Sequence, residues 1–200
     1  MANQLYFSID TETGGLNPRS AKLLQVGLYA INLDTETNTI VNSFKYEWGI
    51  KPSSSPDKIA YPEAMEVNKL DLDTLEQNGL TLEEVSQQII AAFKEVIKEC
   101  SNVKKSQMFL LGQNLAFDIR FLTNNLTLEA VEYLEQFRQF ELMCFSTAYF
   151  VNKGENPSSI SLGKMTTELG ITNEQAHTAY ADAKATCEAM VEIRKRLTKI

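Results

Sequence analysis

The stretch FSIDTETGGLNP, residues 7–18, decides how this chain is read. It closes a short apolar run, residues 5–9, with two carboxylates, Asp10 and Glu12. Side chains on a strand alternate between faces, so residues i and i+2 point the same way and both carboxylates can grip one hard cation. The pair points to Mg²⁺ or Mn²⁺ chemistry at the end of a buried strand.

Working outward, 200 residues amount to about one domain, and an apolar content of 44% fills one sizeable core. A single compact domain over residues 1–200 is expected. The opening apolar run is too short for an export signal and leads straight into charged residues, and no apolar run reaches membrane-spanning length. No membrane partner is therefore expected. Cys100, Cys144 and Cys187 are odd in number, far apart and without a Cys-x-x-Cys pair, which fits neither a disulfide framework nor a zinc site. The expected setting is a reducing cytoplasm. A net charge of −7 argues against a protein that coats nucleic acid electrostatically, while leaving room for an enzyme whose cations offset its carboxylates.

Residues 5–9, 22–33 and 39–48 read as three strands of a meander, with a turn over residues 34–38. Residues 51–57 read as a surface connection and 61–69 as a short helix with Pro62 near its start. Thr81 precedes Glu84 by three residues, a capping-box spacing that opens a longer helix up to Cys100. Residues 108–111 form a short strand that breaks at Gly112. Asn114 then caps a helix through Leu122 that carries Asp118 on its first turns. Residues 126–140 read as helical, 140–145 as a strand and 153–159 as a polar loop. An apolar stripe of Ala185, Ala189, Met190, Ile193 and Leu197 marks a final helix. Strands leading into helices make the fold class α/β.

His177 is the only histidine, and Asp182 follows it by five residues. Five helical steps leave two side chains roughly 140° apart. His177 is therefore expected in the loop or first turn before the helix that holds Asp182. Taken singly, each of these residues has a bland reading: a strand end meeting solvent for Asp10 and Glu12, a charge near a helix N-terminus for Asp118 and Asp182, a surface residue for His177. The aliphatic stripe and most aromatic residues, Trp48 included, read as core.

Asp10 and Glu12, then Asp118 in GQNLAFDIRFL (residues 112–122), then His177 and Asp182 in AHTAYADAKATCEAM (residues 176–190) follow the order and final spacing of one family. The chain resembles the DEDDh, or DnaQ-like, 3′-to-5′ exonucleases, most of all the proofreading subunits of bacterial DNA polymerase III. IAYPEAMEVNKLDLDTL (59–75) and SLGKMTTELGI (161–171) are similar to the family's connecting segments. The resemblance implies a ribonuclease H-like mixed five-stranded sheet with helices on both faces. It implies two Mg²⁺ ions, replaceable by Mn²⁺: Asp10, Glu12 and Asp182 hold the first, Asp10 and Asp118 serve the second, and His177 is the general base. It further implies that Thr13, Leu16, Val67, Asn68, Asn114 and Phe117 meet the terminal nucleotide.

Hydrolysis of a phosphodiester needs a nucleophilic water, neutralised charge and a stabilised leaving oxygen, and an imidazole can take a proton near neutral pH. The expected activity is release of nucleoside 5′-monophosphates from single-stranded or frayed 3′ ends, DNA in preference to RNA. An RNA-trimming exoribonuclease and a noncatalytic nucleic-acid-binding module are the alternatives. Two positions depart from the family pattern: Asn68 stands where a histidine is frequent, and Gln113 where a histidine precedes the asparagine. The sequence stops at Ile200, just after the last helix, without a polymerase-binding tail, so a stable polymerase partner is not expected. Lysines and arginines form no dense basic run, which predicts low processivity and a shallow salt dependence.

Overall fold

In the computed structural model, which describes residues 3–157, 159–173 and 177–198, one five-stranded sheet carries the helices. Its strands are β1 (Asn3–Thr13), β2 (Leu23–Asp34), β3 (Thr39–Gly49), β4 (Met108–Gly112) and β5 (Arg138–Glu141), in the order β3-β2-β1-β4-β5. β1, β2 and β3 form the expected antiparallel meander, and β4 and β5 add parallel strands on the other side of β1. Parallel neighbours need long crossovers, and helices supply them. These are α1 (Pro62–Asn68), α2 (Leu72–Asn78) and α3 (Leu82–Glu99) before β4, then α4 (Leu115–Asn125) and α5 (Leu128–Leu134) before β5. α6 (Leu142–Asn152), α7 (Leu162–Leu169) and α8 (Ala179–Leu197) complete the chain.

The alternation of β1 divides the core in two. Leu5, Phe7 and Ile9 face the cluster built with α3, α4 and α5, where Phe7 stacks on Phe93 at a centroid distance of 4.2 Å. Tyr6 faces the other cluster, with Leu142 and Tyr149 of α6, Met165 of α7, and Cys187, Met190 and Ile193 of α8. β1 and β2 are thus covered on both sides, as expected of strands in the middle of a helix-flanked sheet. Asp10 and Glu12 continue the Tyr6 face, towards α8. The sheet and its two helical layers are the mixed five-stranded arrangement that the resemblance implied.

Local rules hold where they are strongest. Thr81 and Glu84 form the reciprocal capping box at the start of α3. Three expectations need correction. Residues 126–140 are not one helix, because α5 ends at Leu134 and β5 follows. Residues 140–145 are mostly helix: Leu142, Ser146, Tyr149 and Phe150 are buried at helical spacing on α6, and a short apolar run does not reveal that period by itself. The side chain of Asn114 does not cap α4; that residue sits at φ 61°, and the N-terminus is capped from outside. Helices α2 and α7, unforeseen from sequence, are opened by Asp71 and Ser161, whose side chains accept hydrogen bonds from Asp73 and Lys164 backbone N–H groups. The cysteines are free, and no helix among the described residues is long and apolar enough to cross a membrane.

Candidate active site

The carboxylates converge where the end of β1 meets α4 and α8. Ligand oxygens of Asp10, Glu12 and Asp182 all lie within 4.8 Å of one another. Asp10 and Glu12 share a face of β1, and Asp182 stands on the first turn of α8, which packs over that face. Asp118, on the first turn of α4, is only 3% exposed and lies outside this trio. The hydroxyl of Thr11 donates to its Oδ1 at 2.7 Å. Thr11 points to the opposite face from its two neighbours, so one strand turn serves acids on both sides.

Burial, reinforced by neighbouring like charge, raises Asp10, Glu12 and Asp118 above the ordinary carboxylate range. Burial, then Asp182 and Asp118, pushes Glu12 up to about 8. Burial, then Asp118, Asp182 and Glu12, raises Asp10 well above the usual carboxylate range. Burial also lifts Asp118 to about 7, against the hydrogen bonds from Thr11 that favour its ionised form. An all-oxygen donor set under mutual repulsion suits a hard divalent cation, whose charge removes the repulsion. The residues present therefore fit such an ion.

His177 lies two residues before α8, as the five-residue spacing predicts. It is exposed, with φ at +72°, and its backbone N–H donates to Asp182 Oδ2 at 3.3 Å. Asp182 Oδ1 accepts from the amide of Asn173 at 2.7 Å. The histidine lines a cavity of about 480 Å³ with Asn68, Lys69 and Tyr180.

A second groove, of about 640 Å³, runs from Glu12 past Thr13, Leu16, Val67, Asn68 and Phe117. Leu16 is 86% exposed and Val67 56%, and both line this one groove. Tyr61 completes its apolar lining, and no lysine or arginine is among the lining residues. Asn114 stands outside this groove; its N–H and that of Leu115 donate to the Glu141 carboxylate at 2.8 and 2.7 Å. The two departures from the family pattern are engaged internally. Asn68 donates to the carbonyl of Thr13 and accepts from Leu70, and Gln113 donates to the carbonyl of Ile160.

Sequence reasoning missed Thr11, Asn173, Tyr61 and Glu141. It also passed over Gln25 and Gly27, although a polar residue and a glycine inside the apolar run LLQVGLYAINLD are the signal of a close approach by another element.

Comparison with known proteins assigns this arrangement to a class. The family model described as "Exonuclease" matches residues 7–190, nearly the whole chain and every acid of the site. The chain therefore belongs to the exonuclease family, the DEDD-type 3′-to-5′ exonucleases that its sequence resembles. Among particular relatives, ribonuclease T of Photobacterium profundum is 23% identical over 194 residues, 96% of this chain and 82% of its own. The fold is that of E. coli exonuclease I: the zinc-bound complex of that enzyme with single-stranded DNA superposes with a TM-score of 0.71 at 20% identity, covering all of this chain and 42% of the other. Exonuclease I of Methylocaldum szegediense gives a TM-score of 0.65 at 20% identity, again over all of this chain and 42% of that one. The chain thus spans about two fifths of the exonuclease I chains that it matches.

Proposed function

We propose that this protein is a metal-dependent 3′-to-5′ exonuclease that removes nucleoside 5′-monophosphates from single-stranded or frayed 3′ ends, DNA in preference to RNA. The observation that carries the reading is the convergence of Asp10, Glu12 and Asp182 within 4.8 Å, beside an exposed apolar groove that begins at Glu12. Asp10, Glu12 and Asp182 would hold one Mg²⁺, and Asp10 with Asp118 a second, Mn²⁺ substituting for either. Bound there, such ions supply Lewis acidity and charge neutralisation for phosphodiester hydrolysis.

The chain's own groups do the rest. His177 accepts the proton of the attacking water, a role suited to an imidazole near neutral pH. Its backbone N–H donates to Asp182, which supports that role. Leu16, Val67 and Phe117 offer apolar faces to the terminal nucleotide, with Thr13 and Asn68 lining the same groove. We group Asn114 with them because it leads into α4 four residues before Asp118. Stacking is sequence-tolerant and needs splayed bases, so a groove lined by apolar groups rather than by lysines and arginines favours frayed ends over a chosen sequence. Few phosphate-pairing cations also make for weak capture between cuts and a shallow salt dependence.

The DNA preference is supported by the fold's likeness to exonuclease I structures holding single-stranded DNA, and the ribonuclease T relative favours RNA as the second reading. Three free cysteines are in keeping with a reducing cytoplasm. The test is one time course in Mg²⁺ with 5′-labelled single-stranded, duplex and mismatched DNA and single-stranded RNA. Stepwise shortening from the 3′ end, fastest on single-stranded and mismatched DNA and lost in His177→Ala, is the expected outcome. Cleavage without divalent cations, or single-strand binding with no product, sinks the reading.

A further inference from the structure

Asp182 meets the other two acids where the N-terminus of α8 packs against β1 and β2, and the sheet carries a seat for it. The strand register aligns Asp10 with Gly27 and Glu12 with Gln25, so the β2 partners of both acids lie beneath the start of α8. At Gly27 the approach is so close that a Cβ would stand 2.1 Å from the carbonyl carbon of Ala179 and 2.2 Å from the nitrogen of Tyr180. Only glycine leaves that space open. Beside it, Gln25, 8% exposed, turns its Oε1 to the backbone N–H of Ala179 at 3.0 Å. Glu47, the β3 partner of Gly27, accepts from the N–H of Tyr180 at 3.2 Å, and the Thr178 hydroxyl accepts from Ala181. The first amides of α8, which have no partner within the helix, are thus taken largely by the sheet.

We propose that Gln25 is a positioning residue: with the gap at Gly27, its amide oxygen fixes the start of α8 and thereby sets Asp182 against Asp10 and Glu12. Gln25 does no chemistry itself. Without its acceptor a buried N–H of Ala179 is left unpaired, and the first turn must lift towards water to satisfy it. Asp182 is only three residues further along, so that lift opens the trio of acids.

The inference rests on the cation-site reading, and its test reads binding, not turnover. Mn²⁺ is titrated calorimetrically into the full chain and into Gln25→Met, which keeps the length and loses the oxygen. The same titration is run on Gln25→Glu, which restores an acceptor, and on Gly27→Ala. Loss of a group that orients a ligand typically weakens metal binding about 10- to 100-fold. Gln25→Met is expected in that range, Gly27→Ala at least as weak, and Gln25→Glu no weaker than wild type, since its added charge also attracts the cation. Circular dichroism shows whether each variant is folded. Should Gly27→Ala fail to fold, the two Gln25 variants decide alone. Wild-type affinity in Gln25→Met, or equal weakening in both Gln25 variants, overturns the seat. Absence of Mn²⁺ binding by the wild type sinks the cation site as well, which separates the two failures.

Discussion

Stripping divalent cations and raising the pH from about 5 to about 8 should destabilise this protein through its acidic cluster. In the fold Glu12 titrates at about 8 in place of 4.5, because burial and then Asp182 and Asp118 oppose its charge. Asp118 titrates at about 7 in place of 3.8, and Asp10 is raised as well. Between the two values the folded state keeps protons that the unfolded chain has released, so stability falls as pH rises. The contribution is fully present below about pH 4.5 and is lost as pH passes about 8 for Glu12.

At about 1.4 kcal/mol per pH unit, Glu12 alone sets an upper bound of roughly 3.5 kcal/mol between about pH 5 and about pH 8, and partial access to solvent cuts that to roughly 2 kcal/mol. That is a large part of the roughly 5–15 kcal/mol that holds a domain together. Carboxylates with lowered values, such as Asp34, Asp71, Glu76 and Glu84, titrate below this window and do not mask the effect. Urea denaturation in EDTA, followed by circular dichroism at both pH values, reads the difference directly. Glu12→Gln should flatten the dependence, and Mn²⁺ should restore stability at the higher pH. Equal stability at both pH values in EDTA, or a Glu12→Gln protein with the wild-type slope, refutes the argument.

Thr11→Val removes the hydroxyl that donates to Asp118, and a lost bond to a buried charged group costs about 1–3 kcal/mol. Because that bond favours the ionised acid, the acidic limb of the activity profile should move to higher pH, which a pH series on a labelled oligonucleotide checks. Thr81→Ala breaks the capping box of α3 far from the acids. It should lower stability by about 1 kcal/mol in a urea titration and leave turnover unchanged.

Strand alternation, the capping box and the last helix were legible because each is a local rule with a fixed period or spacing. Asp10 and Glu12 could be placed on one face from their spacing, and His177 outside α8 from helical geometry. Whether Asp118 and Asp182 reach the same point depends on strand order and on how two helices lie, which no local pattern specifies; the resemblance supplied that. The boundary between β5 and α6 failed for a related reason. FELMCFSTAYF is apolar nearly throughout, and only the packed structure shows that Leu142, Ser146, Tyr149 and Phe150 form one face. Asn114 looked like a cap by residue type, yet the cap of α4 comes from Glu141, 27 residues on in the chain.

Two of the four acids come from a strand and two from helices, and the difference has an electrostatic consequence. Asp118 and Asp182 each stand in the first turn of a helix, where the aligned peptide dipoles favour a carboxylate even with the first amides paired. Asp10 and Glu12 gain nothing of the kind from β1. The strand acids must therefore carry more of the repulsion, in keeping with Glu12 standing higher than Asp118, which also has the Thr11 hydroxyl. A cation between strand and helix acids relieves the strand pair most. Proton release on Mn²⁺ binding should then come chiefly from Asp10 and Glu12, so Glu12→Gln should reduce the protons released per ion, measured as the dependence of binding enthalpy on buffer ionisation. Unchanged release in that variant would remove Glu12 as a source of the displaced protons and refute its part in the assignment.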